Sequence, residues 1–259
     1  MEKILKDPAG QFVGNLPFFD GLPDADINIL AAAGHTKDYK KGESLFHLGD
    51  SADRFFVVLS GWVKLYRETG EGEEAIVALF KRGDVFGEAA IFNGAGYPFS
   101  AMATEESKVI ELSAAVLRER ARQNHHIMDK IMASMSKELR DLQLENEHLA
   151  LMSAPQRVGC LLLQLSAGMI GKGGIFSFPY DKSLAAARLG MKPETFSRAL
   201  AQLKPYGVTV SGPEVKVESF SQLIDYCCSH CSSLPGECPG SRGRCADTAC
   251  AGKKTGTCG

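Results

Sequence analysis

Glu194, Ser197 and Arg198 stand three and four residues apart in the segment PETFSRALA, so any helix formed there carries all three on one face. A guanidinium bonds bidentately to guanine, a carboxylate accepts from the cytosine amino group, and a hydroxyl reaches a base edge or a phosphate. The trio has the chemistry of base recognition in a major groove. A surface ion pair between Glu194 and Arg198, worth about 0.2–0.5 kcal/mol, is the bland reading of the same spacing. A second reactive group lies near the end of the chain. All cysteines but Cys160 follow Tyr226, at Cys227, Cys228, Cys231, Cys238, Cys245, Cys250 and Cys258. Six of them, Cys227 to Cys250, are candidate thiolate ligands for zinc or an iron–sulfur cluster, with Cys228 and Cys231 spaced to share one metal. A redox-reactive tail without metal is the alternative.

The elements that must present Glu194, Ser197 and Arg198 are legible in KSLAAARLGMKPETFSRALA. Gly190 falls just past one helix and Pro193 at the first position of the next. Ala185 and Ala186 let two helices approach closely, and Leu189, Met191, Phe196 and Leu200 supply apolar contacts, which together predict a helix-turn-helix. Its base-reading side chains lie near the N-terminus of the second helix, where such motifs touch base edges. Residues 154–205 hold seven Lys and Arg against two Asp and Glu, a local +5 in a chain of net charge −2. Arg157, Lys182, Lys192 and Thr195 are the phosphate-contact candidates of this basic stretch. Val208–Val210 and Val215–Val217 around Gly212-Pro213 predict an adjoining hairpin.

The 259 residues suit two domains, and 44% hydrophobic and 23% charged residues exclude a disordered or collagen-like chain. No apolar run is long enough to span a bilayer, and MEKILKDPAG has charges where a secretory apolar region would lie. A cytoplasmic location and reduced thiols are therefore expected. From Lys40 to Leu112, glycines punctuate short apolar runs such as Phe55–Leu59, Trp62–Tyr66 and Ala75–Phe80, the pattern of a jelly roll or barrel. Pro23–Gly34 reads as a short helix with Asp24 as its N-cap. Residues 114–153 form one long helix without internal glycine or proline. Its heptads place His125, Met132, Leu139 and Asn146 at one seam position and Met128, Met135, Leu142 and Leu149 at the other, as in a two-stranded coiled coil. A single amphipathic helix packed on its own domain is the alternative. The predicted boundaries are 1–113 for a sensor domain, 114–153 for the long helix, 154–226 for the DNA-binding domain and 227–259 for the cysteine-rich tail. No catalytic or nucleotide-cofactor motif is present, so no enzyme is expected.

The succession KKGESLFHLGDSADRFFVVLSGWVKLY, GDVFGEAAIF and LGMKPETFSRAL resembles the CRP/FNR family of bacterial transcription regulators, over about Leu16 to Tyr226. It looks most like the FNR, DNR and HcpR branches, which answer to oxygen, nitric oxide or redox stress. The resemblance implies an α+β chain with a cyclic-nucleotide-binding-like β jelly roll, a long dimerisation helix and a winged helix-turn-helix. It implies a homodimer on palindromic double-stranded DNA with TTGAT-like half-sites read by Glu194, Ser197 and Arg198, and RNA polymerase as a partner. The effector pocket would involve Gly87, Glu88 and Ser100. In cyclic-nucleotide-binding relatives an arginine before the Ser pairs the cyclic phosphate, whereas no arginine lies between Arg82 and Arg118 here. A phosphate without that guanidinium lacks its strongest partner, so cAMP is not expected. Haem would draw on His35, His47, His125 or His126, and His125-His126 is the best of these. FNR itself resembles a cluster-bearing sensor with cysteines near its amino terminus; this chain has none there. The expected signal is a redox change, a gas or a metal cluster. A ligand- or metal-responsive module without sequence-specific DNA binding is the alternative function.

Overall fold

The glycine-punctuated stretch folds as two four-stranded antiparallel sheets. Its strands are β1 (His35–Tyr39), β2 (Ser44–Phe46), β3 (Arg54–Ser60), β4 (Trp62–Glu68), β5 (Glu74–Lys81), β6 (Val85–Phe86), β7 (Ser100–Ala103) and β8 (Ser107–Ser113). One sheet has the order β1-β8-β3-β6 and the other β2-β7-β4-β5, the interleaving that defines a jelly roll. These features come from a computed structural model that describes residues 8–68, 70, 74–166, 173–178 and 181–228. The chain divides into two units at Leu139 and Arg140.

The unbroken apolar run of β3 follows from burial on both of its faces, because side chains alternate along a strand. Phe56 and Val58 join Tyr39, Phe46, Val63, Phe86, Ala101, Ala103 and Val109 in a core drawn from both sheets. Phe55 and Val57 point the other way, into a core with helices α1 (Pro8–Gly14), α2 (Asp24–Ala32), α4 (Ala114–Gln123) and the start of α5 (His125–Leu151). A short helix, α3 (Ala90–Asn93), follows β6. Gly61 turns the chain between β3 and β4 at φ +82°, where a Cβ would strike Ser107 and the Glu106 carbonyl.

The helix expected over residues 114–153 is two helices. Asn124 adopts an extended backbone, φ −137° and ψ 108°, and separates α4 from α5. Its side chain explains the break. Asn124 Oδ1 accepts from His126 N at 3.0 Å, while Asn124 Nδ2 donates to Asp26 Oδ2 at 2.7 Å. The amide thus satisfies one free N–H group, that of His126, at the start of α5 and ties that start to α2. Asp24 is likewise the first residue of α2 and not its cap, which falls on Pro23.

The second unit is built on α6 (Ala154–Leu165), opened by a capping box in which Ser153 N donates to Gln156 Oε1 at 2.9 Å. A small antiparallel sheet of order β10-β11-β9 follows from β9 (Gly174–Ser177), β10 (Val208–Ser211) and β11 (Glu214–Val217). Between its strands lie α7 (Lys182–Arg188), α8 (Pro193–Gln202) and a 3₁₀ turn over Lys204–Tyr206, and α9 (Phe220–Cys228) closes the unit. Leu162, Phe196, Leu203, Val215 and Leu223 are among its fully buried side chains.

Candidate nucleic-acid interface

Helix α8 is amphipathic in the sense its sequence requires. Phe196, Ala199 and Leu200 are buried, whereas Glu194, Ser197 and Arg198 are all exposed on the opposite face. Gly190 turns the chain at φ +62° and Met191 N returns to Ala186 O at 2.9 Å, closing the end of α7. Ala185 and Ala186 are fully buried where α7 meets α8. The hairpin of β10 and β11 pairs Val208 with Val217 and Ser211 with Glu214 across Gly212-Pro213.

The phosphate candidates divide by environment. Lys192, the N-cap residue of α8, is exposed, and Lys182 and Thr195 are half-buried. Arg157 is different. Its Nη1 donates to the Leu189 carbonyl at 3.0 Å, its Nε is buried with no acceptor among the described residues, and burial lowers its pKa.

The remaining sequence-predicted residues scatter. Gly87 holds φ +85° against the Phe56 ring. Glu88 is buried and its Oε1 accepts from Ser134 Oγ of α5 at 2.7 Å; burial raises its pKa. Ser100 Oγ instead accepts from Leu48 N at 3.0 Å, so Glu88 and Ser100 bond to different elements. The segment before Ser100 is aromatic: Tyr97 stacks on Phe46 with ring centroids 3.7 Å apart and donates its hydroxyl to Arg54 O at 2.6 Å. Burial pushes that phenol up to about 12. Arg67 of β4 reaches the same segment, donating from Nε and Nη2 to Pro98 O at 3.2 and 3.1 Å and lying 5.2 Å from the centre of the Phe99 ring.

Along α5, Met132, Met135, Leu139, Leu142 and Leu149 are 45–61% exposed, and Asn146 is exposed among them, whereas Met128 packs against the sensor core. His47, His125 and His126 are exposed, and His35 Nε2 lies 3.2 Å from Glu111 Oε2. Among the described residues no group of three or more His, Cys, Asp or Glu could hold a metal. Cys227 is 1% exposed in the core of the second unit, beside Gly159, and Cys160 is buried in the same core. The side chain of Cys228 and all of Cys231, Cys238, Cys245 and Cys250 lie outside the described residues.

Sequence reasoning missed β9 and α9, although both carry a signal. Phe176 and Phe178 are buried around exposed residues, a period of two, and Phe220, Leu223, Ile224 and Cys227 repeat at helical spacing. The partners of Arg188 and Arg157 had no local signal. Arg188 Nη2 pairs with Glu145 Oε1 of α5, 43 residues away.

A jelly roll followed by a winged helix-turn-helix defines a class of sensor-linked DNA-binding proteins. Residues 36–124 match the cyclic nucleotide-binding domain family and residues 156–226 the Crp-like helix-turn-helix domain family. The chain is 30% identical to the transcriptional activator protein FnrA of Stutzerimonas stutzeri over 207 residues, 78% of this chain and 84% of that one. It is 29% identical to the cyclic AMP receptor protein of Thermus thermophilus over 197 residues, 76% of this chain and 89% of that one. The structure of FixK2 from Bradyrhizobium japonicum matches with a TM-score of 0.65 and 26% identity, covering 74% of this chain and 96% of that one. The chain belongs to the CRP/FNR family of transcription regulators, and is a DNA-binding regulator and not an enzyme. No helix among the described residues is long and apolar enough to cross a membrane.

Proposed function

We propose that two copies of the chain pair through α5 and place their α8 helices in successive major grooves of a palindrome with TTGAT-like half-sites. The observation that carries this reading is the exposed face of Glu194, Ser197 and Arg198 on α8, opposite its buried Phe196. Glu194 and Arg198 choose bases, Ser197 bonds to a base edge or phosphate, and Lys182, Lys192 and Thr195 meet phosphates. The exposed Met132–Leu149 seam supports the dimer, because methionine and leucine side chains left half in water gain from a second copy. The complex acts in the cytoplasm and recruits RNA polymerase. A gel shift with Arg198→Ala tests the reading: loss of preference for the palindrome over scrambled duplex supports it, and an unchanged preference refutes it.

The signal in this reading is a redox change, a gas or a metal cluster, in keeping with the similarity to FnrA. Tyr97 and Phe99 support it by filling with aromatic rings the segment that would meet a cyclic phosphate. Cys228, Cys231, Cys238, Cys245 and Cys250 are the candidate ligands for an iron–sulfur cluster or zinc. Cys227 could join them only by leaving the core. Iron and zinc analysis with an absorbance spectrum of anaerobically purified protein tests this, and the same spectrum after haem addition tests His125 and His126. A cyclic nucleotide is the second reading. It is favoured by the similarity to the Thermus cyclic AMP receptor protein and by Arg67, which brings a guanidinium to Pro98 and Phe99 from another strand. Calorimetry with cAMP on wild type and Arg67→Ala separates the two.

A further inference from the structure

We infer that Arg157 and Glu145 are positioning residues for base recognition, holding the turn of the helix-turn-helix from both sides, and that Arg157 does not contact a phosphate. The inference deepens the DNA-binding reading and rests on it. The turn opens with Leu189 and Gly190, directly after Arg188, the last residue of α7. Leu189 is the C-cap of α7, so its carbonyl lies where a helix has orphan acceptors and the negative end of its dipole. Arg157, projecting from α6, donates Nη1 to that carbonyl at 3.0 Å. The adjacent residue, Arg188, reaches away from the turn and pairs through Nη2 with Glu145 Oε1 of α5. One guanidinium therefore arrives at the turn and another leaves it, so the end of α7 is tied both to α6 and to α5.

The environment of Arg157 fits this role and not a phosphate contact. Its Nε is buried with no acceptor among the described residues and its Nη1 is taken by the Leu189 carbonyl, whereas the ammonium of Lys192, on an exposed side chain, is open to a phosphate. The tie matters because α8 begins at Pro193, three residues beyond Gly190. Bonds to base edges are directional, and a small rotation of the turn moves Glu194, Ser197 and Arg198 together off their acceptors and donors.

The test is fluorescence anisotropy of the full chain, across a salt series, on a duplex carrying two inverted TTGAT half-sites and on a scrambled duplex. The variants are Arg157→Ala, Arg157→Lys, Glu145→Gln, Lys192→Ala and the exchanged pair Glu145→Arg with Arg188→Glu. Arg157→Ala and Glu145→Gln are expected to weaken specific binding roughly tenfold, the size of one charge-assisted hydrogen bond, and to leave scrambled binding and the salt slope unchanged. Lys192→Ala is expected to reduce the slope by about 0.9, and the exchanged pair to recover specific binding. Arg157→Lys keeps the charge without the planar fork and is expected to fall between wild type and Arg157→Ala, which keeps the question open to measurement if the alanine variant unfolds. A slope lowered by about 0.9 in Arg157→Ala, or equal losses on both duplexes, overturns the inference. Hydrogen exchange without DNA is the second arm: Arg157→Ala speeds exchange at Gly190 and Met191 while α9 keeps its protection, and unchanged exchange at the turn overturns the clamp. Equal binding of both duplexes by the wild type refutes the DNA reading alone, because the exchange arm still decides the clamp.

Discussion

The sulfur of Cys227 rests on Gly159, so that α9 and α6 meet where one of them has no side chain. A Cβ placed on Gly159 overlaps Cys227 Sγ and lies 3.1 Å from Leu223 Cδ1. Alanine would favour an α6 helix by roughly 0.5–1 kcal/mol over glycine, but overpacking costs about 1–3 kcal/mol. Gly159→Ala is therefore expected to destabilise the second unit, and Cys227→Ala in the same chain to relieve part of the loss. Thermal denaturation of the two single variants and the double variant measures the coupling, and additive effects would refute the contact.

Asp26 is buried and accepts from both Arg120 and Asn124, which fastens the α4–α5 junction to α2. Asp26→Ala leaves a partly buried guanidinium and an amide without that acceptor, and is expected to cost about 3 kcal/mol. Chemical denaturation reads the loss. Asn124→Ala, which removes only the neutral partner and the side-chain acceptor for His126 N, is expected to cost about 1 kcal/mol.

The buried carboxyl of Glu88 has its pKa raised from 4.5, first by desolvation and also by the charge of Glu138. The folded state therefore holds this proton to higher pH than the unfolded state does. Stability from this group is present below pH 4.5 and declines as pH rises through the folded pKa. Glu88→Gln keeps an oxygen to accept from Ser134 and is expected to flatten this decline. Denaturation midpoints between acid and neutral pH check the sign, and a variant with the wild-type pH profile would contradict it.

Charge on the α5 seam should separate the two copies of the proposed dimer. Leu139→Glu and Leu142→Glu are already at exposed positions, so each is expected to leave the folded monomer intact and to shift sedimentation from dimer to monomer. Equal sedimentation of wild type and both variants would remove the seam from the account.

Replacing Arg198 by Ala is expected to relax base preference by about 1–3 kcal/mol, the value of one bidentate base contact. Binding to scrambled duplex, which rests on phosphate charge, should change far less. Competition anisotropy with half-site variants locates the position at which discrimination is lost.

The strands were legible because their pattern is local: glycine punctuation around apolar runs, and in β3 a run left apolar on both faces. The helix-turn-helix was legible for the same reason, since Gly190, Pro193 and the spacing of Phe196, Leu200 and Arg198 specify a turn and a two-sided helix within twenty residues. Tertiary structure decided what distant partners do to residues with no local signal. Asn124 lies in a helix-compatible run, yet Asp26, 98 residues earlier, draws its amide out and breaks the helix. Arg157 and Lys192 look alike in a basic stretch, but one is folded against Leu189 and the other is left in water. Cys227 begins a run of thiols by sequence and lies in the last turn of a helix by structure, because the hydrophobic spacing from Phe220 carries it into the core. Periodicity and turn chemistry act over a few residues and can be read from the chain, whereas desolvation and ion pairing depend on which surfaces the finished fold brings together.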